Sequence, residues 1–335
     1  MNPRPKHQHE LRSARTDARV PRAANNTEHQ ARLASRLTTR DRWLAAMVHE
    51  HRVLTSDQLA ALAFPSGRAA RARLRQLFCW SVLDRFQPLL AYGSAPMHYV
   101  LGPAGATVLA HQHGLSPQDL GYQRDRALGI SHSLRLAHTV ACNDLLVTLA
   151  AHTRRRPHEQ LACWWSEHRC ARHVGDLARP DAYARWHTPT GQLAFYLEYD
   201  TGTEPLTRLA AKLPGYHDLA RSAAATIPVL FWLPSLDREA HARRTLHHAQ
   251  RGLDRPALVP LATASPEPAC DPAGPVWLPI DDPRGDRRPL TALAAHWPDL
   301  ATAADLDSMP APAGRGTGLP APVPQAPGSL PPRRR

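Results

Sequence analysis

Apolar residues along this chain fall into two blocks of different spacing, flanked by polar stretches. In the first, from about Ala34 to Gly114, the spacing is helical three times and then alternates. Leu37, Trp43, Leu44, Met47 and Val48 form one stripe. Behind the N-cap candidates Thr55 and Ser56, Leu59 and Leu62 form a second, and Phe64-Pro65 ends that helix. Ala70, Leu74, Leu77 and Phe78 stand at i, i+4, i+7 and i+8, which predicts the buried face of a third helix. Val82–Phe86 and His98–Leu101 bracket a loop with Gly, Pro and Ser and predict a β-hairpin. Gly102-Pro103 then opens a short helix running to Gln112.

The second block, residues 130–262, reads α-β-β-β-α-β. A helix is predicted over 131–154, strands over 161–167, 180–186 and 193–200, and a final strand over 227–233. Pro189-Thr190-Gly191 supplies the turn between the middle strands. Thr203 caps a helix that carries Leu206, Leu209, Leu213 and Tyr216 inward. Residues 115–129 are polar and read as a linker, and 263–307 as a small appendage holding the run Val276–Ile280. Residues 1–33 lack apolar periodicity and predict a disordered basic arm. Residues 308–335 are rich in Pro, Ala and Arg and predict a disordered tail. The fold class expected is mixed α/β.

Charge changes the reading of the first block. The chain carries a net +12, and nine Lys or Arg stand against three acids through Arg40. Such an excess favours a polyanionic partner, because Lys and Arg release counterions condensed on phosphates. The N-terminus has no apolar run suited to a signal peptide, and no stretch approaches transmembrane length, so the expectation is a cytoplasmic protein without membrane attachment. Five cysteines, none in a CxxC pair, read as reduced thiols. A short helix, a turn and an arginine-bearing helix, followed by a hairpin, form the plan of a winged helix-turn-helix. Arg68, Arg71, Arg73 and Arg75 on the third helix are the candidate contacts to double-stranded DNA. The competing reading is a solvated arginine face on an ordinary bundle.

In the second block, acids gather at predicted strand ends. Asp181 opens one strand, while Glu198 and Asp200 close its hairpin partner and fall on one face by strand alternation. Carboxylates converging in this way hold Mg²⁺ or Mn²⁺, which activates water and offsets charge on a phosphodiester. Lys212, on the next helix, can present an ammonium to the same place. Against this stands a structural reading: Asp181 and Asp200 as polar strand ends, Glu198 paired with Arg185, and Lys212 lying along its helix. Cys163, His168, Cys170 and His173 contain no tight pair of the kind that frames a zinc site. No Walker loop or GxGxxG is present, which leaves nucleotide hydrolysis without support.

Pro180-Asp181, a spacer and Glu198-x-Asp200 resemble the PD-(D/E)XK nuclease pattern, with Asp200 standing where that pattern has lysine. The stretch Leu197-Glu-Tyr-Asp-Thr-Gly-Thr-Glu204, followed by Lys212-Leu213 and Tyr216, is similar to the replication-relaxation family of bacterial plasmids and integrative elements. The resemblance implies a winged helix ahead of a restriction-endonuclease-like core. Asp181, Glu198, Asp200 and Lys212 would be its catalytic residues, the three acids binding Mg²⁺ or Mn²⁺. It also implies partners among plasmid replication or mobilisation proteins. Three functions stay open: a Mg-dependent DNA nickase, a regulator with a degenerate nuclease-like domain, or a transcription factor whose second domain senses a ligand.

Overall fold

The computed structural model describes residues 8, 11, 14–16, 20–91, 93–156, 158–175, 177–189, 191–265, 270–282, 285–297, 299–301 and 319–328. The chain is mixed α/β and divides into two compact units, one comprising residues 1–151 with 316–335, the other residues 152–315. No helix among the described residues is long and apolar enough to cross a membrane.

The N-terminal unit contains β1 (Ala14–Thr16), α1 (Thr27–Arg36), α2 (Thr39–His51), β2 (Leu54–Thr55), α3 (Ser56–Ala63), α4 (Gly67–Cys79), β3 (Leu83–Pro88), β4 (His98–Leu101), α5 (Pro103–Gln112), α6 (Arg124–Leu128) and α7 (Leu136–His152). Local chemistry sets the helix starts. Thr38 and Asp41 close a capping box on α2, and Thr55 and Gln58 close another on α3. Ala70, Leu74, Leu77 and Phe78 make the buried face of α4, as their spacing predicts. The sheet runs β1-β3-β4-β2, antiparallel throughout, with Leu83 opposite Leu101 and Phe86 opposite His98.

Several boundaries differ from those expected of the sequence. The arm predicted over 1–33 is ordered in part: β1 pairs with β3, Arg22 pairs with the buried Asp84, and α1 begins at Thr27 with Asn26 as its cap. One apolar anchor, Leu33, suffices for that helix, which is why no periodicity announced it. The linker predicted over 115–129 packs onto the same unit. Tyr122 donates to the Leu101 carbonyl at 3.0 Å, and Arg124 reaches Asp84 at 2.9 Å. Finally, the long helix assigned to the second block lies almost wholly in the first unit, as α7. Its Leu136 and Val140 pack with Val53, Phe86 and Val100, and Asn143 donates to the Val53 carbonyl at 2.9 Å. The tail expectation also changes, because residues 319–328 are ordered, while 302–318 and 329–335 lie outside the described residues.

The second unit is built on β5 (Gln160–Ser166), β6 (Ala182–Thr188), β7 (Gly191–Tyr199), β8 (Val229–Trp232), β9 (Leu261–Ala264) and β10 (Leu278–Pro279). These form one sheet in the order β10-β9-β8-β7-β6-β5. β5, β6 and β7 pair antiparallel, β7, β8 and β9 parallel, and β10 antiparallel to β9. The helices are α8 (Glu167–His173), α9 (Leu206–Ala210), α10 (Leu213–Ala223), α11 (Leu236–Arg251) and α12 (Leu290–His296). α9 with α10 carries the crossover from β7 to β8, and α11 that from β8 to β9, as parallel pairs require. The appendage predicted over 263–307 is not separate, since β10 extends this sheet. The core gathers Leu213, Tyr216, Val229, Phe231, Leu246 and Leu261 around the parallel strands. Cys163 and Cys170 are buried in the same core.

Candidate functional site: a buried acid pair at adjacent strand ends

The β6–β7 hairpin sets the first two site residues side by side. Register pairs Ala182 with Leu197, so Asp181 sits beside Glu198 where the ladder ends. The Asp181 amide donates to the Leu197 carbonyl at 3.0 Å, and Asp181 Oδ2 accepts the Tyr199 amide at 2.9 Å. On its other side, Glu198 is opposite Phe231 of β8. A glutamate in the middle of a sheet is expensive to bury, and Glu198 is 1% exposed.

Two side chains from the crossover satisfy it. Pro214 has no amide hydrogen to continue a helix, and it stands in the first turn of α10, just past the break from α9. Lys212 falls at that break. Its ammonium donates to Glu198 Oε2 at 2.5 Å, and Tyr216, four residues later on the same face, donates to Oε1 at 2.5 Å. The Tyr216 ring lies 5.4 Å from Tyr196, which continues through Tyr183 to Trp165 in a row across the sheet. That row fixes where the phenol points.

The ammonium contacts Glu198 alone, with Asp181 close enough to act on both through its charge. Burial, then repulsion from Asp181, pushes Glu198 up to about 7 against the pull of Lys212 and Tyr216. Burial alone would lower Lys212, but Glu198 and Asp181 together raise it. Tyr216 is raised well above its usual value by burial and by the carboxylate it serves. Lys212 keeps about a third of its side chain exposed, at 34%.

Asp200 is elsewhere, which corrects the expected three-acid cluster. β7 ends at Tyr199, and the Asp200 amide still donates to the Trp232 carbonyl at 2.9 Å, so what sets Asp200 apart is the partner its carboxylate finds. Arg238, in the first turn of α11 behind its cap Ser235, grips Asp200 with Nε at 2.5 Å and Nη2 at 3.2 Å. The Gly202 amide adds a bond at 2.8 Å. Among the described residues, no three His, Cys, Asp or Glu side chains come together as a ligand group. Glu198 pairs with Lys212 and Tyr216, where the structural reading had an arginine such as Arg185. Tyr216, which the sequence reading places only as an inward-facing residue of its helix, is a missed partner of Glu198; its position one turn beyond Lys212 is the signal that points to it. Arg238, 38 residues beyond Asp200, carries no signal in the sequence.

On α4, the four arginines separate. Arg68, Arg71 and Arg75 are exposed, and no ion pair among the described residues engages them. Arg73 turns inward, where its Nε donates to Asp41 Oδ1 at 2.9 Å and its guanidinium lies over Trp80. Burial would lift the fully buried Asp41, but Arg73 and Thr38 hold it below the usual carboxylate range. Arg73 therefore belongs to the fold of this unit.

A chain of this build is a mixed α/β protein in which an acid pair and a lysine meet at the ends of adjacent strands. It belongs to the replication-relaxation family, whose model matches residues 46–230, a span holding both α4 and the acid pair. Membership suggests involvement in plasmid or mobile-element replication. Comparison with curated proteins and with solved structures gave no match.

Proposed function

We propose that this chain is a DNA-binding protein of plasmid or mobile-element replication whose second unit is nuclease-like and acts on the DNA backbone with a divalent cation. The observation that carries this reading is the grouping of Asp181, Glu198 and Lys212. It supplies the two acids and the ammonium of the PD-(D/E)XK pattern, with Lys212 standing in from the following helix for the lysine absent at Asp200. The donor set suits a hard cation: two buried carboxylates of net negative charge, with oxygen donors only. Asp181 and Glu198 would hold Mg²⁺ or Mn²⁺, and Asp200, committed to Arg238, would not. When bound, the ion would lower the pKa of a water and offset charge on a phosphodiester oxygen. Lys212, partly exposed on a flexible stem, can turn from Glu198 towards a phosphate. Tyr216 stays to hold the carboxylate in place.

In the N-terminal unit, the order α2-β2-α3-α4-β3-β4 supports the winged helix-turn-helix reading, with α4 as the helix for the major groove. Arg68, Arg71 and Arg75 would contact double-stranded DNA. Further partners expected of such a protein are other plasmid replication or mobilisation proteins.

Supercoiled plasmid incubated with the protein tests the nuclease half. Nicked circles should appear with Mg²⁺ or Mn²⁺ and not with chelator, and should vanish in folded Asp181→Asn and Lys212→Ala variants. One observation favours a second reading, a non-catalytic regulator: both Glu198 oxygens already have donors. Wild-type protein that binds the plasmid and leaves it supercoiled under every metal condition would establish that reading.

A further inference from the structure

The ordered stretch near the C-terminus reads Leu319-Pro-Ala-Pro-Val-Pro-Gln-Ala-Pro-Gly328. Its prolines, at 320, 322, 324 and 327, cannot donate, and each biases the residue before it towards extended backbone. The segment forms neither helix nor strand, so its carbonyls have no internal ladder to join. It is nevertheless docked on the N-terminal unit. Leu319, Pro324 and Ala326 are buried, while Val323 keeps its side chain exposed and offers its backbone. The Trp43 indole N–H of α2 donates to the Val323 carbonyl at 2.7 Å. A buried indole N–H needs a partner, and a proline-rich strand presents acceptors in a fixed, low-entropy form. Gly328, at φ +69°, then turns the chain.

We infer that the N-terminal unit carries a docking groove for a proline-rich extended peptide, read through Trp43, and that this chain's own segment Leu319–Gly328 is its occupant. The groove uses part of the general logic of proline-rich recognition: an aromatic donor for a carbonyl, with Leu319, Pro324 and Ala326 buried on either side of it. A tether supplies the segment at an effective concentration on the order of 1 mM, so the site stays filled even at modest intrinsic affinity. A proline-rich segment of another protein must therefore displace it.

The full chain, folded intact, carries a site for a specific protease within residues 302–318 and is cut only afterwards. A labelled synthetic peptide, Leu319–Gly328, is then added up to about 1 mM, the concentration a tether provides. The peptide should exchange saturably with the severed tail. Trp43→Phe, which keeps the ring and removes the N–H, should weaken peptide binding at least ten-fold. A Pro324→Glu peptide, which cannot unfold the body, should weaken it as much. No saturable exchange up to that concentration would overturn the groove. Equal binding of a peptide with all four prolines replaced by alanine would overturn the proline-rich specificity. A stable dimer of the uncut chain joined through this segment would overturn occupancy by the chain's own tail.

Discussion

Replacing Glu198 by Gln probes the charge excess at the acid pair most sharply. The folded protein holds the Glu198 proton up to about pH 7, whereas a glutamate ordinarily releases it near 4.5. Between those values the folded state binds more protons than the unfolded one, so stability falls as pH rises. The contribution is fully present below about 4.5 and gone above about 7. At about 1.4 kcal/mol for each unit, the loss across that window is roughly 3 kcal/mol. Glu198 is wholly buried, so solvent screening does not reduce this figure. Glu198→Gln keeps the shape and cannot ionise. Chemical denaturation followed by tryptophan emission suits the test, because six of the eight tryptophans, at 164, 165, 186, 232, 277 and 297, lie in the second unit. The difference in unfolding free energy between variant and wild type should shift by roughly 3 kcal/mol in favour of the variant from pH 4.5 to 7. A difference that stays constant across the window would refute the reasoning, because Glu198 would then titrate as in water.

Three further outcomes follow from the geometry. The Arg71→Ala/Arg75→Ala variant should fold as wild type and bind duplex DNA at least ten-fold more weakly, a loss of roughly 1.4 kcal/mol measurable by fluorescence anisotropy. Arg73→Ala should instead strand the buried Asp41 and cost roughly 3 kcal/mol of stability in the N-terminal unit, seen in denaturant unfolding of that unit. Gly215→Ala should destabilise the second unit by about 1–3 kcal/mol, because its Cβ would meet the Leu177 carbonyl oxygen at 2.0 Å; a melting curve reads this directly.

Much of the architecture was legible because it rests on local rules. The cap at Thr55 and the apolar spacing on α4 predict their helices without reference to the rest of the chain. The meeting of Asp181 and Glu198 was legible for a similar reason, since a turn at 189–191 fixes which residues face each other across the hairpin. Long-range choices were not. α7 is apolar on most sides, so its pattern did not say which unit it would join, and contact with Val53 and Phe86 decided the matter. Asp200 and Arg73 have partners that the sequence does not announce, for one shared reason. A charged residue's role depends on the nearest opposite charge, and Arg238 and Asp41 are close only after folding. The docking of 319–328 was hidden by composition: a segment unable to build a core can still bind one.

The account turns on whether Asp181 and Glu198 together take a divalent cation. Manganese titration of the full chain, followed by the loss of the free Mn²⁺ paramagnetic resonance signal, measures this without requiring any cleavage. Wild-type protein should bind Mn²⁺ saturably, Mg²⁺ should compete for the same site, and folded Asp181→Asn and Glu198→Gln variants should each bind at least ten-fold more weakly. Absence of binding at millimolar Mn²⁺, or binding unchanged in Asp181→Asn, would contradict the account and leave the two carboxylates as structural members of the sheet.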